Sequence, residues 1–379
     1  MVNERMPSRI AKSPRSLRFE QCQNIVDVAC GYGYSLFVPQ QDSGSAKPKL
    51  FGAGLNTDSQ LGLHGATGSG GHLEWLAEVR PIGLPLKNPR QSRVVAVDCG
   101  RAHTIVVSDE GVFSLGNNAH GQCGRRIIEG EDYSANPVVH LIKELPSSVT
   151  QVCCGLDHTL CLDTEGNVYA FGSGTDGQLG RGSFESSGEP AMVQGDAKGV
   201  KIVHVSTKAD CCLAVSESGD MFGWGNSEYG QLSAVTESVQ LNVSRRIPFG
   251  KKVCQVAAAG TMCALLTVDG EVYVWGHGIL GMGPDNLHQP EPALLPPPLF
   301  GANEVSPDTR VVRIIPGLHY FAAVTNKGEL YMWGKNRFGV LGLGHENDQF
   351  FPLKISLPGD VHRLSCGPDH VLALCRSWL

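Results

Sequence analysis

The stretch CGLDHTLCLDTEGNVYAFGSGTDGQLG, residues 154–180, decides the fold, because its opening dipeptide returns along the whole chain. Four copies keep the Cys-Gly dipeptide and begin at Cys30, Cys99, Cys154 and Cys366. Three degenerate copies in the same register begin at Thr207, Ala258 and Pro316. The seven copies are 69, 55, 53, 51, 58 and 50 residues apart. A period near fifty residues with strand-like content is typical of a circular array, in which each unit stacks on its neighbours to bury its faces.

Within one period the sequence predicts an antiparallel meander. Residues 94–97 and 104–108 are apolar or β-branched and flank the Cys-Gly copy, and residues 109–111 have hairpin chemistry before the alternating residues 112–115. A glycine-rich closing segment follows, and its copies lie at 56–62, 118–124, 174–180, 226–233 and 336–342. We therefore predict an all-β, seven-bladed β-propeller that forms a single domain over residues 25–379.

The two halves of the repeat do not occur equally often. The first half of the repeat occurs seven times and the second half six times. After Cys366, only residues 371–374 continue as an apolar strand. Propellers often complete the last blade with N-terminal strands, which removes exposed edges. Residues 1–24 offer no such pair of strands and instead form a basic tail. We expect an incomplete seventh blade with a free edge at 371–374, and the simplest explanation is a shortened product of a longer precursor.

The repeat resembles that of the regulator of chromosome condensation family. Residues 154–160, 166–172 and 177–180 carry the resemblance, which extends over residues 25–379. Within that family the chain is most similar to the mitochondrial member, on the segments 52–62, 210–215, 223–229 and 325–330.

This resemblance implies a function. It implies guanine nucleotide exchange on a mitochondrial dynamin-related fusion GTPase, and a role in ribosome biogenesis with RNA-modification proteins and mitochondrial large-subunit ribosomal RNA. It also implies a mitochondrial location, in the matrix or peripherally at the inner membrane. The alternative is a scaffold of a ribosomal-RNA-containing assembly complex without exchange activity. Exchange needs no catalytic acid or base, because the factor only has to bind the nucleotide-free GTPase better than the loaded one.

Recurring cysteines and histidines are predicted to be structural. They occupy the same place in different blades, whereas an enzyme needs one convergent site, and no nucleophile elbow, zinc-protease motif or phosphate-binding loop occurs. We therefore predict no covalent catalysis and no cofactor or metal. The predicted structural positions are Cys30, Gly31, Cys99, Gly100, His103, Cys154, Gly155, His158, Cys366, Gly367 and His370.

Partner contacts are expected instead from surface turns and insertions, where specificity usually resides on a repeated scaffold. Unlike charges recur in the turns of one face of the hub, and an insertion at residues 63–91 carries a tryptophan that either anchors a partner or packs back on its blade. The predicted partner-binding residues are Arg101, Asp157, Lys208, Asp210, His319, Asp369 and Trp75.

The net charge of the chain indicates how it would contact RNA. The formal net charge is −6, which does not favour nonspecific phosphate binding, so contact with RNA is expected to be mediated by proteins. Residues 1–19 are basic and superficially suit a mitochondrial presequence, but Pro7 and Pro14 weaken the helix that such a signal needs. No stretch approaches eighteen apolar residues, so no transmembrane helix is expected.

Overall fold

The structure is a computed structural model that describes residues 11–17, 19, 22, 24–42, 44–45, 47–65 and 71–377. Its strands fall into seven antiparallel sheets. The first three sheets contain β1 (Ile25–Cys30), β2 (Tyr34–Pro39), β3 (Phe51–Leu55) and β4 (Trp75–Pro81); β5 (Val94–Cys99), β6 (His103–Ser108), β7 (Gly111–Gly116) and β8 (His140–Ile142); and β9 (Val149–Cys154), β10 (His158–Asp163), β11 (Val168–Gly172) and β12 (Ser187–Met192).

The next three sheets contain β13 (Ile202–Ser206), β14 (Cys211–Ser216), β15 (Met221–Asn226) and β16 (Gln240–Ile247); β17 (Val253–Ala258), β18 (Met262–Thr267), β19 (Val272–His277) and β20 (His288–Leu295); and β21 (Val311–Pro316), β22 (Tyr320–Thr325), β23 (Leu330–Gly334) and β24 (Gln349–Ile355). The last sheet contains β25 (Gly359–Cys366) and β26 (Val371–Ser377). Two short 3-10 helices span Pro297–Phe300 and Arg337–Gly339. Among the described residues, no helix is long and apolar enough to cross a membrane.

The sheets form a ring. Each four-stranded sheet is a meander with its strands in chain order, and the first strand of every sheet contacts the first strands of its two neighbours. The last contact of this kind joins β25 to β1, so the circle returns to its start. The prediction of an all-β propeller is confirmed. The count of seven blades is not confirmed, because the described residues form six four-stranded blades and one two-stranded sheet.

In three of the four Cys-Gly copies, glycine follows the cysteine because an aromatic or imidazole ring lies over it. A Cβ atom on Gly100 would lie 2.0 Å from Cε1 of His103, and one on Gly31 would lie 2.1 Å from Cε1 of Tyr34. Real Cβ atoms do not approach other atoms so closely, so any larger residue would push the ring out of the turn. Gly155 is overlain by His158 in the same way.

Neighbouring blades are held together by the aromatic residues of the second half-repeat. Trp224 is fully buried, and its Nε1 donates a hydrogen bond of 3.0 Å to the Gln178 carbonyl oxygen in the closing segment of the preceding blade. Trp275 repeats the contact with the Gln231 carbonyl oxygen at 2.8 Å. Burial of one large apolar side chain stabilises a fold by about 1.5–3 kcal/mol. The closing segment of one blade and the tryptophan of the next therefore form a single packing unit.

The junction between the last sheet and the first blade uses side chains. The Ser365 hydroxyl oxygen accepts a 3.0 Å hydrogen bond from the Cys30 backbone N–H, and the His370 Nε2 lies 2.8 Å from the Ser35 hydroxyl oxygen. Ser206 makes the equivalent 3.0 Å contact with the Ala258 backbone N–H between the fourth and fifth blades. The closing junction therefore has the same chemistry as a junction inside the chain.

The described part of the basic tail contacts the ring beside the last sheet. The Lys12 carbonyl oxygen accepts a 2.6 Å hydrogen bond from the Gly344 N–H of the sixth blade, and the Phe19 ring lies 4.9 Å from the Phe37 ring of the first. Within the described chain, β26 pairs only with β25, so its other edge carries no strand. Residues 1–10 of the predicted tail lie outside the described residues.

Candidate partner-binding face

One end of the ring carries the turns between the first and second strands of the sheets, and we call this end the turn face. The opposite end, with the hairpins between the second and third strands, is the hairpin face. The turns of the turn face are residues 31–33, 100–102, 155–157, 207–210, 259–261, 317–319 and 367–370. Most of the charged residues that the sequence singled out lie in these turns.

An ion pair links two of the predicted residues across a blade boundary. An Nη2 of Arg101 bonds to Oδ2 of Asp157, and the Arg101 side chain stays 53 % exposed while Asp157 is 14 % exposed. A backbone bond of 3.1 Å from the Arg101 N–H to the Leu156 carbonyl oxygen joins the same two turns. The Arg101 guanidinium is therefore accessible to solvent, and the Asp157 carboxylate that pairs with it is held in the more buried position by the charged hydrogen bond.

Two glutamines of the closing segments position the acidic residues of the turn face. Gln178 donates through Nε2 to Oδ1 of Asp210 at 3.1 Å, and Gln122 reaches Asp157 in the same way at 3.5 Å. Burial raises the pKa of Asp210 to about 6, and the nearby carboxylates of Asp176 and Asp157 add to the effect. We call Asp157, Asp176 and Asp210 the acidic sector. The sequence did not single out these glutamines, although each recurs in the glycine-rich segment.

Asp369 joins the mouth of the hub from the last sheet. Its Oδ1 lies 2.8 Å from Nδ1 of His370, which fixes the orientation of the imidazole. Burial raises the pKa of Tyr32, and the charges of Arg101, Asp369, Asp157 and Asp210 all act on its phenol. Tyr32 and Arg101 line one small opening at the hub, and Asp157, Asp210 and Asp369 lie near enough for their charges to act on Tyr32.

Lys208 lies in a turn of the turn face, but its side chain enters the hub. Its Nζ is 3.6 Å from Oδ1 of Asp98, and the two side chains are only 14 % and 15 % exposed. Burial acts to lower the pKa of Lys208, but the Asp98 carboxylate opposes it, and the pKa lies above its ordinary value. Oδ2 of Asp98 also accepts a 2.7 Å bond from the Cys154 N–H. Lys208 therefore neutralises a carboxylate that ties two blades together.

His319 belongs to a separate part of the turn face. Burial lowers its pKa, and the charges of Lys335 and Arg337 lower it further. The Arg337 guanidinium lies 4.7 Å above the ring of Phe338, an exposed residue whose φ is 61°. The Tyr229 ring stacks on the exposed His277 ring at 5.8 Å. We call these six residues, His319, Lys335, Arg337, Phe338, Tyr229 and His277, the basic-aromatic sector.

Trp75 lies at the edge of the turn face. It is 53 % exposed and pairs in register with Leu55 on the neighbouring strand. Leu55 itself packs over Gly33 in the first turn, where a Cβ would lie 2.5 Å from Cδ1 of Leu55. Leu55 and Trp75 therefore form a small exposed apolar patch beside Asp369.

Two of the recurring histidines, His103 and His158, bond to the next blade, whereas His370 contacts both Asp369 in its own turn and Ser35 in the first blade. Nε2 of His103 lies 3.1 Å from the Thr159 hydroxyl oxygen, and Nε2 of His158 lies 3.3 Å from the Thr207 hydroxyl oxygen. Burial lowers the pKa of each imidazole to about 3, so both are neutral in the folded protein. All thirteen cysteines are free thiols, and burial raises the pKa of Cys99 and Cys154.

The fold and the turn face together define a propeller that presents charged side chains at one end. The RCC1-like domain family matches residues 3–373. The chain belongs to this family, as its repeat predicted.

Relatives with known names span most of the chain. An RCC1-like G exchanging factor-like protein of mouse is 47 % identical over 370 residues, which is 97 % of this chain and 80 % of the mouse protein. The crystal structure of human WBSCR16 superposes with a TM-score of 0.92 at 46 % identity, and covers 97 % of this chain and 90 % of that one. A bovine secretion-regulating guanine nucleotide exchange factor is 29 % identical over 91 % of this chain and 74 % of its own length.

Proposed function

We propose that this protein is a guanine nucleotide exchange factor that uses its turn face to bind a mitochondrial dynamin-related fusion GTPase. The observation that carries the proposal is the grouping of the charges of Arg101, Asp157, Asp210 and Asp369 near Tyr32 at the hub. The name of the bovine relative refers to guanine nucleotide exchange and that of the mouse relative to a G exchanging factor-like protein, and both names support the same class of activity.

The turn face suits this activity because exchange depends on binding energy alone. A factor accelerates release when it binds the nucleotide-free GTPase more tightly than the loaded form, and the two affinities are thermodynamically linked. The exposed Arg101 guanidinium and the acidic sector offer both signs of charge to a partner within one surface. Such complementarity orients a partner and excludes others.

Two finer statements belong to the same proposal. The protein acts in mitochondria, in the matrix or peripherally at the inner membrane, as the family resemblance implies. The sheet of β25 and β26 is the inner half of a seventh blade. In support of this, Ser365 bonds to the first blade as Ser206 bonds to the fifth.

The test is the release of labelled GDP from a purified mitochondrial dynamin-related GTPase, with and without a stoichiometric amount of the full chain. We expect acceleration by the chain, and a loss of about tenfold or more in the variant Arg101→Glu, because its charge is reversed beside Asp157 and Asp210. Lys201→Glu is the matched control, since Lys201 is 53 % exposed and ion-paired to Glu217 on the hairpin face. That control should keep the full acceleration.

Two outcomes contradict the proposal. If the folded chain does not accelerate GDP release, the protein is not an exchange factor for this GTPase. If both variants lose acceleration equally, the turn face is not where the GTPase binds. In the first case the preferred function becomes that of a scaffold in a ribosomal-RNA-containing assembly complex. The basic-aromatic sector favours that second candidate with a direct contact to RNA, in place of the protein-mediated contact expected from the net charge, because unpaired RNA bases stack on aromatic rings beside cations. Association with mitochondrial large-subunit ribosomal RNA would then be measured with Arg337→Glu, a variant of this sector, and with the Lys201→Glu control.

A further inference from the structure

A belt of side chains runs around the inner ring of strands toward the hairpin face. Its members stand three residues before the recurring cysteine or its equivalent, and are Asp27, Ala96, Gln151, His204, Gln255, Arg313 and Arg363. The longer ones reach the next inner strand. Gln151 donates to the Val205 carbonyl oxygen at 2.9 Å, and Oε1 of Gln255 accepts from the Ile314 N–H at 2.9 Å.

Two adjacent members of this belt are arginines. The Nη1 and Nη2 atoms of Arg313 donate to the carbonyl oxygens of His362 and Val361 at 2.8 Å and 3.0 Å, which fixes the plane of its guanidinium. Arg363 follows at the same position of the next inner strand and is 57 % exposed. Burial lowers the pKa of Arg313 and the charge of Arg363 lowers it further, so each guanidinium lies in the field of the other.

The carboxylate within the belt does not balance these two charges. Oδ1 of Asp27 is 3.9 Å from Nε of Arg363, at the outer limit of an ion pair, and it also accepts a 3.0 Å bond from the Val28 N–H. Burial lowers the pKa of His362, and three arginines, Arg376, Arg363 and Arg313, lie near enough for their charges to lower it further. The single charge of Asp27 therefore leaves the two guanidiniums of the belt with a net positive charge.

We propose that Arg313 and Arg363 form a binding site for a phosphate oxyanion at the hairpin face. A planar guanidinium binds the oxygens of phosphate through two parallel hydrogen bonds, and one fixed guanidinium beside one solvent-accessible guanidinium can hold an oxyanion from two sides. The phosphate comes either from free inorganic phosphate or from a nucleotide. The site faces away from Arg101 and the acidic sector, so it does not depend on the exchange activity proposed for the turn face.

The experiment is isothermal titration calorimetry on the full chain at fixed ionic strength in chloride. Inorganic phosphate, GDP and guanosine are titrated separately into the unaltered chain, Arg363→Gln and Arg245→Gln. Arg245 is the matched control, because it is 51 % exposed and lies 3.6 Å from an Asp196 oxygen. We expect saturable binding of an oxyanion, about tenfold or more weaker in Arg363→Gln and unchanged in Arg245→Gln.

A second variant keeps the test decisive if Arg363→Gln is poorly folded. Asp27→Asn removes the competing carboxylate while an amide oxygen still accepts the Val28 N–H, so it should tighten oxyanion binding several-fold. Binding of both phosphate and GDP supports free phosphate as a sufficient ligand, and binding of GDP alone supports the nucleotide. The proposal fails if neither anion binds saturably, if guanosine binds as well as GDP, or if Arg245→Gln loses as much as Arg363→Gln.

Discussion

At the scale of single residues, Asp210 is the acidic group of the turn face whose charge changes near neutral pH. Burial and two neighbouring carboxylates raise its pKa to about 6, against an ordinary value of 3.8, although Gln178 donates a hydrogen bond to it. Between these two values the unfolded chain has already lost the proton that the folded chain keeps. Stability contributed by this group is therefore fully present below pH 3.8 and falls as the pH rises to 6.

Replacement of Asp210 by asparagine should remove that loss. At pH 7.5 we expect Asp210→Asn to raise the free energy of unfolding by about 1–3 kcal/mol, and to flatten its decrease between pH 4 and 6. The measurement is urea unfolding across this pH range. Asp220→Asn is the control of opposite sign, because bonds from Ser218 and Arg246 lower the pKa of Asp220. An Asp210→Asn protein no more stable than the unaltered chain at pH 7.5 would contradict the assignment.

At the scale of the repeated element, a glycine of positive φ near the end of the third strand sets the geometry of every four-stranded blade. Gly116, Gly172 and Gly225 have φ values of 100°, 114° and 92°. A Cβ there would lie 2.4, 2.5 and 2.1 Å from the carbonyl oxygens of Ala102, Asp157 and Asp210, respectively, in the turn of the same blade. Because this glycine has no side chain, the turn between the first and second strands packs directly against the end of the third strand.

A methyl group at this position should be costly. We expect Gly225→Ala to lower the free energy of unfolding by roughly 2–4 kcal/mol, because left-handed backbone and a backbone clash combine. Gly250→Ala is the control, since no atom of the described residues lies within 4 Å of the Cβ it would introduce and its φ is outside the left-handed region. The measurement is chemical denaturation of both variants. Equal stabilities would show that the glycine is retained for another reason.

The sequence predicted the inner strands of each blade better than the outer ones. The Cys-Gly copies and hairpin glycines are local signals, so residues 94–97 and 112–115 fall within β5 and β7. The fourth strands follow insertions that share no motif, and β8 has only three residues. The repeat also placed Arg101 and Asp157 in turns of one face. It could not reveal that Lys208 points into the hub toward Asp98, because side-chain direction in a turn is set by packing between blades.

At the scale of the whole molecule, the ring has one junction without a covalent link between sequential blades. The first blade and the last sheet are joined there by Ser365, His370 and Ser35, across 335 residues of chain. Contacts between elements far apart in sequence can form only after the loop between them has closed, which costs entropy. Local opening is therefore expected to begin at this junction, since β26 also has one unpaired edge within the described chain.

Ser365→Ala tests this expectation. The substitution leaves the Cys30 N–H without its side-chain acceptor, and we expect a cost of about 1–3 kcal/mol together with faster amide hydrogen exchange in β1, β25 and β26. Ser206→Ala removes the equivalent acceptor of the Ala258 N–H, but between blades that are adjacent in the chain. It should cost a similar amount on global unfolding without opening the ring locally. Exchange that rises equally at both junctions would mean that the closing junction is no weaker than the others.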